Sequence, residues 1–259
     1  MVFEVTDAGA VVLRHFGKKD EVVAKNKTNP KASVVNVHVS GDNPNDHHFF
    51  KHTGSSADFT LKYVSHNYYK NELGNKLEFT LEDDKLRVVA HYQFYDNIAA
   101  VRAWNVVTNI CEESVGLEYV SSFSYHGFND GTLTPNENLE IFIPHNCWCR
   151  ELDWRKYSLS DLGIEDIGGA ASKRIAVSSS GTWSTKEYVP MAAVVNAEIG
   201  SAYLWQIENN GSWHWEISGT SDMLYFKLSG PTENESHWHK ELAPAIVEVS
   251  FAPFSGYRR

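Results

Sequence analysis

Cysteine is scarce in this sequence: Cys111, Cys147 and Cys149 are the only three among 259 residues. So small and odd a number cannot close a disulfide framework, so free thiols and a reducing compartment are expected. No window approaches the roughly 18 to 20 continuous apolar residues of a membrane span. The opening MVFEVTDAGAVVLRHFG lacks the basic start and apolar run of a secretory leader. A soluble, cytoplasmic protein is the expectation, so the sequons at Asn26, Asn210 and Asn234 are read as unused. Positive charge is in deficit too: 23 Lys and Arg against 33 Asp and Glu leave a net charge of −10, with no basic stripe. This argues against nucleic acid or an anionic membrane as partner, since such binding draws on clustered cations.

Helical periodicity is the last deficit, and period-two alternation takes its place. In Leu86 to Phe94, Val88, Ala90, Tyr92 and Phe94 alternate with polar residues, the pattern of a half-buried strand. Lys76 to Leu81 precedes it, and Glu82 to Lys85 has the length and residues of a hairpin loop. Further strands read at 100–108, 116–124, 172–179, 189–196, 223–228 and 246–251, separated by short turns such as 109–114 and 129–131. Such spacing predicts one all-β domain over residues 1–259, a large antiparallel β-sandwich, rather than βαβ units. Only Ser158 to Leu162 reads as a helical turn, and the stretches 40–56 and 144–169 read as irregular. Long irregular segments within a compact domain are where function concentrates.

The densest signal is Ala202 to Ile217, AYLWQIENNGSWHWEI. Two alternating runs flank Asn210-Gly211, a dipeptide suited to a tight hairpin turn. Tyr203, Trp205 and Ile207 are placed on one face, and Trp213, Trp215 and Ile217 on one face of the returning strand. Glu208 and Glu216 then fall opposite these apolar faces, as ordinary carboxylates on a more solvated side. In His145-Asn146-Cys147-Trp148-Cys149 the same alternation reads the two thiols as buried and structural, with Trp148 on the other face. His237 and His239 share a face if that segment is extended, but two imidazoles without a third ligand do not make a metal site. Trp104, Trp154, Trp183 and Trp238 are read as core or interface residues rather than sugar platforms.

Five motifs in sequence order carry a resemblance: GLEYVSSF (116–123), SSGTWSTKEYVPM (179–191), WQIENNGSWHWEIS (205–218), LSGP (228–231) and HWHKEL (237–242). Together they resemble the N-terminal domain of glycoside hydrolase family 36 α-galactosidases, across nearly the whole chain. The resemblance implies a β-supersandwich similar to galactose mutarotase, followed in the family by a catalytic (β/α)₈ barrel. It also implies retaining hydrolysis of terminal α-galactosides, a reaction that needs two carboxyl groups about 5 to 5.5 Å apart. The family's nucleophile lies in a Lys-Trp-Asp motif, which this sequence lacks; Leu152-Asp153-Trp154 has the order reversed. No catalytic residue, metal or cofactor is therefore assigned to this chain, which is expected to be inactive alone. An excised first domain is the reading, its partners being the downstream barrel, other subunits of an oligomer, and galacto-oligosaccharides.

The run NPNDHHFFKHT (43–53) is dense in polar chemistry. Its spacing matches no closed zinc pattern, and a solvated polar loop is the plain alternative to a ligand site. In oligomeric members of the family an N-terminal-domain loop reaches a neighbouring active site. By that implication Asp46, His47, His48, Phe49, Phe50, Lys51 and His52 form a regional sugar-contact candidate, the phenyl rings stacking and the polar groups bonding hydroxyls. Two rivals stay open: an independent carbohydrate-binding sandwich, and a mutarotase-like epimerase using a His and a Glu as acid and base.

Overall fold

The computed structural model describes residues 1–17, 32–42, 51–128, 138–164, 173–197, 200–220, 223–249 and 253–258, the last stretch, Thr220 and residues 248–249 by backbone only. Two large antiparallel sheets face one another across a common core. The ten-stranded sheet runs in spatial order β10 (Arg150–Ser158), β9 (Leu139–Cys147), β12 (Met191–Asn196), β13 (Ser201–Ile207), β18 (Pro253–Arg258), β7 (Ala100–Asn109), β6 (Leu86–Tyr95), β5 (Gly74–Glu82), β4 (Lys62–Asn71), with β17 (Val247–Val249) also on β7. The six-stranded sheet runs β11 (Arg174–Ser179), β14 (Trp213–Thr220), β15 (Met223–Ser229), β8 (Val115–His126), β16 (Lys240–Leu242), with β3 (Val37–Val39) also on β8. A small pair, β1 (Val2–Val5) and β2 (Val11–His15), completes the strands, and two short helices, α1 (Ser56–Thr60) and α2 (Glu233–Ser236), lie beside the six-stranded sheet. The all-β sandwich expected from alternation is thus the architecture found.

Local expectations hold where one strand face is apolar and the other wet. In the β5–β6 hairpin, Asp83 Oδ1 accepts hydrogen bonds from the backbone N–H of Lys85 at 2.9 Å and Leu86 at 2.7 Å, so the Asp closes the turn. Val88, Ala90 and Tyr92 are buried while Arg87 is exposed.

The Trp205-to-Ile217 element is different from its sequence reading. β13 pairs with β12 and β18, and β14 pairs with β11 and β15, so the two runs lie in opposite sheets and form no hairpin. Neither Asn210 nor Gly211 adopts the positive φ of a tight hairpin turn; residues 208–212 cross the edge of the sandwich. The reason is packing: a hairpin would set the indoles side by side on one face, whereas the crossover turns them toward each other. Trp205 meets Trp215 edge-on at 5.5 Å and stacks on Phe226 at 4.9 Å, all fully buried. Trp213 is buried too, its Nε1 donating to Ser184 O at 2.7 Å.

Four further expectations are corrected. Much of 144–169 is not irregular: β9 and β10 make a long hairpin. Cys147 and Cys149 are exposed rather than buried, because the chain reverses there; Trp148 is 86% exposed and Cys149 takes φ 63°. Alternation has no meaning across a reversal. Ser158 ends β10, and its Oγ accepts from Asp161 N at 3.0 Å, closing a turn instead of starting a helix. His237 caps α2 in the left-handed region, so 237–239 is not extended.

Truncating Trp205 to Ala should cost about 3–5 kcal/mol of unfolding free energy. The same change at Trp154, which is 40% exposed, should stay within about 0.5 kcal/mol. Denaturant melts of both variants check the difference.

Candidate functional site

The face of the six-stranded sheet turned away from the core is polar, yet it is not wet. His214, Glu216 and Ser218 of β14 alternate with Trp213, Trp215 and Ile217, and all six are buried. Beside them lie Tyr225 and Lys227 of β15 and Tyr119 of β8, each with at most 0% exposure. Strand periodicity puts these groups on one face. What buries them is a cover: residues 51–61 with α1, and α2.

Glu216 is the centre of the cluster. Its Oε1 accepts from the backbone N–H of His52 at 2.9 Å and from the Tyr225 hydroxyl at 2.8 Å. Its Oε2 accepts from Arg174 Nη1 at 2.8 Å and lies 3.4 Å from His214 Nε2. Arg174 also reaches Glu235 Oε1 through Nη2 at 2.6 Å, so one guanidinium joins a sheet carboxylate to a helix carboxylate. Glu235 Oε2 meets His52 Nε2 at 3.0 Å and accepts from the Thr232 hydroxyl. Thr232-Glu233-Asn234-Glu235 is a capping sequence, and Thr232 Oγ1 accepts from Glu235 N at 3.0 Å to start α2.

The cover is tied from its other side too. Lys227 Nζ donates to His52 O at 2.9 Å, and Lys51 Nζ donates to Gly219 O at 2.7 Å. His52 stacks on Tyr119 with ring centroids 4.0 Å apart. Asp58 of α1, also buried, accepts from Asn36 Nδ2 at 2.8 Å and Gly54 N at 2.6 Å.

The electrostatics follow from burial working against specific partners. Burial alone raises the Glu216 carboxyl, but His214, His52 and Arg174 outweigh it and hold the group well below the usual carboxylate range. Burial likewise pushes the Glu235 carboxyl up, but the hydrogen bond from His52 and the neighbouring His214 outweigh it and hold the group below the usual carboxylate range. Burial pulls Lys227 down to about 8 against the pull of Asp58 and Glu216, and it pulls His52 down despite Glu235. A neutral His52 donating from Nε2 to Glu235 leaves its Nδ1 as an acceptor, and among the described residues that atom has no hydrogen-bond partner.

His52, His214 and Glu216 each offer a ligand atom within 4.8 Å of the others, a spacing a metal ion would accept. Arg174 already supplies the positive charge, bridging both carboxylates. A fully buried carboxylate neutralised by a guanidinium cannot reach a glycosidic bond, so the cluster is a lock and not a glycosidase pair.

Comparison with known proteins brings the fold into focus. No protein-family model and no curated protein matches the chain. Among solved structures, the family 36 α-galactosidase AgaA of Geobacillus stearothermophilus matches with TM-score 0.73 and 15% identity, over 99% of this chain and 39% of that one. The galactosidase domain of the α-galactosidase-sucrose kinase AgaSK matches with TM-score 0.73 and 13% identity over the same shares. A galactose mutarotase-like protein of Clostridium acetobutylicum matches with TM-score 0.50 and 12% identity, over 98% of this chain and 87% of its own. The fold is the β-supersandwich found in family 36 α-galactosidases. This supersandwich therefore spans about two fifths of the length of the α-galactosidases it matches. Variants of AgaA have been solved with raffinose and with stachyose.

Within the supersandwich the sequence-named residues part company. Asp46, His47, His48, Phe49 and Phe50 lie outside the described residues. Lys51 and His52, read as sugar contacts in a loop, are 1% exposed and belong to the lock. Glu208 pairs with Arg102 at 2.7 Å on the surface, just past the end of β13 rather than within a strand. Glu216, expected on a solvated face, is fully buried instead, because α2 and residues 51–61 cover that face. Arg174, Lys227, Tyr119 and Glu235 were not singled out from sequence. The Thr-x-x-Glu capping pattern at 232–235 was the available signal for Glu235. The other three are polar residues in strands, with nothing local to say that they are buried.

Two outcomes test the lock. Arg174→Met leaves Glu216 and Glu235 without their shared cation and should cost about 3–5 kcal/mol, read from urea melts. For pH, burial, with the Lys227 ammonium nearby, pulls His38, which packs 5.1 Å from His52, from 6.5 to about 3. The unfolded chain then binds a proton below pH 6.5 that the folded chain refuses, so stability falls as pH drops from about 6.5 toward 3. The depressed carboxylates add their own loss below about 4.5. The thermal midpoint should therefore start to fall near pH 6.5, and His38→Gln should shallow the upper part of that slope.

Proposed function

We propose that this supersandwich is the non-catalytic N-terminal domain of an α-galactosidase, packing on a catalytic (β/α)₈ barrel and supporting assembly of the enzyme. One observation carries the reading: the match takes in 99% of this chain but 39% of AgaA, at TM-score 0.73. The rest of such an enzyme is where the chemistry would lie. Two features agree: the Lys-Trp-Asp nucleophile motif is lacking, and Glu216 and Glu235 are spent on Arg174. The whole protein would act on terminal α-galactosides of the raffinose and stachyose type, the oligosaccharides bound to AgaA. The proposal includes a cytoplasmic site of action; among the described residues no helix is long and apolar enough to cross a membrane.

The segment Asp46 to His52 keeps its proposed part in sugar contact at a neighbouring active site through Asp46 to Phe50, with Lys51 and His52 anchoring it to the sheet. In the complete enzyme, replacing His48 and Phe50 should raise KM for raffinose several-fold with kcat little changed; unchanged kinetics would remove this part of the proposal. A mutarotase-like activity is the second reading, favoured by the neighbour from Clostridium acetobutylicum. Polarimetry on fresh galactose separates the two, since a scaffold domain leaves the spontaneous rate unchanged. The main test is hydrolysis of an aryl α-galactoside by the purified 259-residue chain. No turnover is expected, and turnover abolished by Glu216→Gln would overturn the scaffold reading.

A further inference from the structure

Two of the three thiols stand together at the tip of the β9–β10 hairpin, at one edge of the ten-stranded sheet. Cys147 pairs with Arg150, so Trp148 and Cys149 alone make the turn. Both thiols are free and exposed, and Trp148 between them is 86% exposed. Consecutive Cα atoms are about 3.8 Å apart, so the two Cys Cα atoms lie less than about 7.6 Å apart, and each sulfur swings on a single χ1 bond. Cys147 Sγ makes only a long contact, 3.9 Å to Arg150 O. Cys111 is the contrast: it is half-buried, and its Sγ donates to Asn109 Oδ1 at 3.2 Å and to Glu113 O at 3.3 Å.

Cys147 also lines an open cavity of about 500 Å³, whose other groups are matched to one another. Arg150 and Arg155 both bond Asp153 Oδ2, at 3.0 and 2.9 Å, and Glu187 adds a second carboxylate, so charge selects neither an anion nor a cation. His145 Nε2 meets the Tyr157 hydroxyl at 2.9 Å and its ring packs on Tyr188, while Asn146 Nδ2 donates to Thr185 O. The soft donors at the tip are the two sulfurs, and softness is what selects a ligand there. Thiolates favour Cu(I), zinc and iron–sulfur clusters over the hard, oxygen-seeking cations. Structural zinc takes four ligands, and a cluster four cysteines. Among the described residues no third His, Cys, Asp or Glu joins Cys147 and Cys149 in a ligand group; the one such group is His52, His214 and Glu216. Cu(I), a closed-shell ion, is satisfied by two thiolates. We propose that Cys147 and Cys149 together bind one Cu(I) ion at the hairpin tip. Two S–Cu bonds form, the two thiol protons leave to solvent, and no electron changes hands.

The experiment titrates the reduced 259-residue chain, without oxygen, with Cu(I) held by a chromophoric chelator, and reads how much ion the protein withdraws. One Cu(I) per chain is expected. Cys147→Ser and Cys149→Ser should each weaken binding by about a hundredfold or more, since changes merely around a metal's ligands already cost roughly 10- to 100-fold. Cys111→Ser should leave binding in place, and both tip variants should melt with the parent chain because their side chains are exposed. Binding that survives both tip substitutions, or that is lost with Cys111→Ser, would overturn the proposal. So would one ion shared by two chains, or zinc displacing Cu(I) at equal concentration. Each of these outcomes leaves the scaffold reading standing, because that reading is judged by hydrolysis.

Discussion

The carboxylate of Glu216 has no contact with water, and much of the domain is arranged around keeping it charged. A buried carboxylate is tolerated only when its oxygens are filled with donors and its charge is met. Four groups do this: a backbone N–H from residue 52, a tyrosine on β15, a histidine on its own strand and an arginine on β11. Because those donors come from separated parts of the chain, satisfying one carboxylate fixes how they sit relative to each other. Arg174 then extends the constraint to Glu235 and so to α2. A sheet face that would ordinarily be solvated becomes a second, polar interior.

This explains how a sandwich of this kind can have two buried sides on one sheet. On the inner side, Trp205, Trp215 and Phe226 gain from area and shape. On the outer side, apolar gain is small and the hydrogen bonds and ion pairs instead specify which cover segment lies where. The inner side confers stability broadly; the outer side confers position.

The fold class was legible from period-two alternation, because alternation reports directly on strands with unlike faces. The β5–β6 hairpin was legible too, since Asp83 closes its turn within a few residues. The Trp205-to-Ile217 crossover was not: Asn-Gly favours a hairpin locally, but the gain from burying indoles against each other across two sheets is larger. Cys147 and Cys149 were misread because the pattern was carried through a chain reversal. His52 was singled out as a sugar contact; the partners it has within the sheet and its cover, Glu216, Glu235 and Tyr119, are 67 to 183 residues distant in sequence, with nothing local to announce them.

By itself, then, the sequence determined which side chains share a strand face and that the chain is all-β. It could not determine what covers each face. Trp215 and Glu216 are neighbours pointing opposite ways, and both end fully buried. Alternation distinguishes the two directions but assigns water to the polar one by default. Only the tertiary structure, by bringing Arg174, His52 and α2 over Glu216, replaced that water with protein.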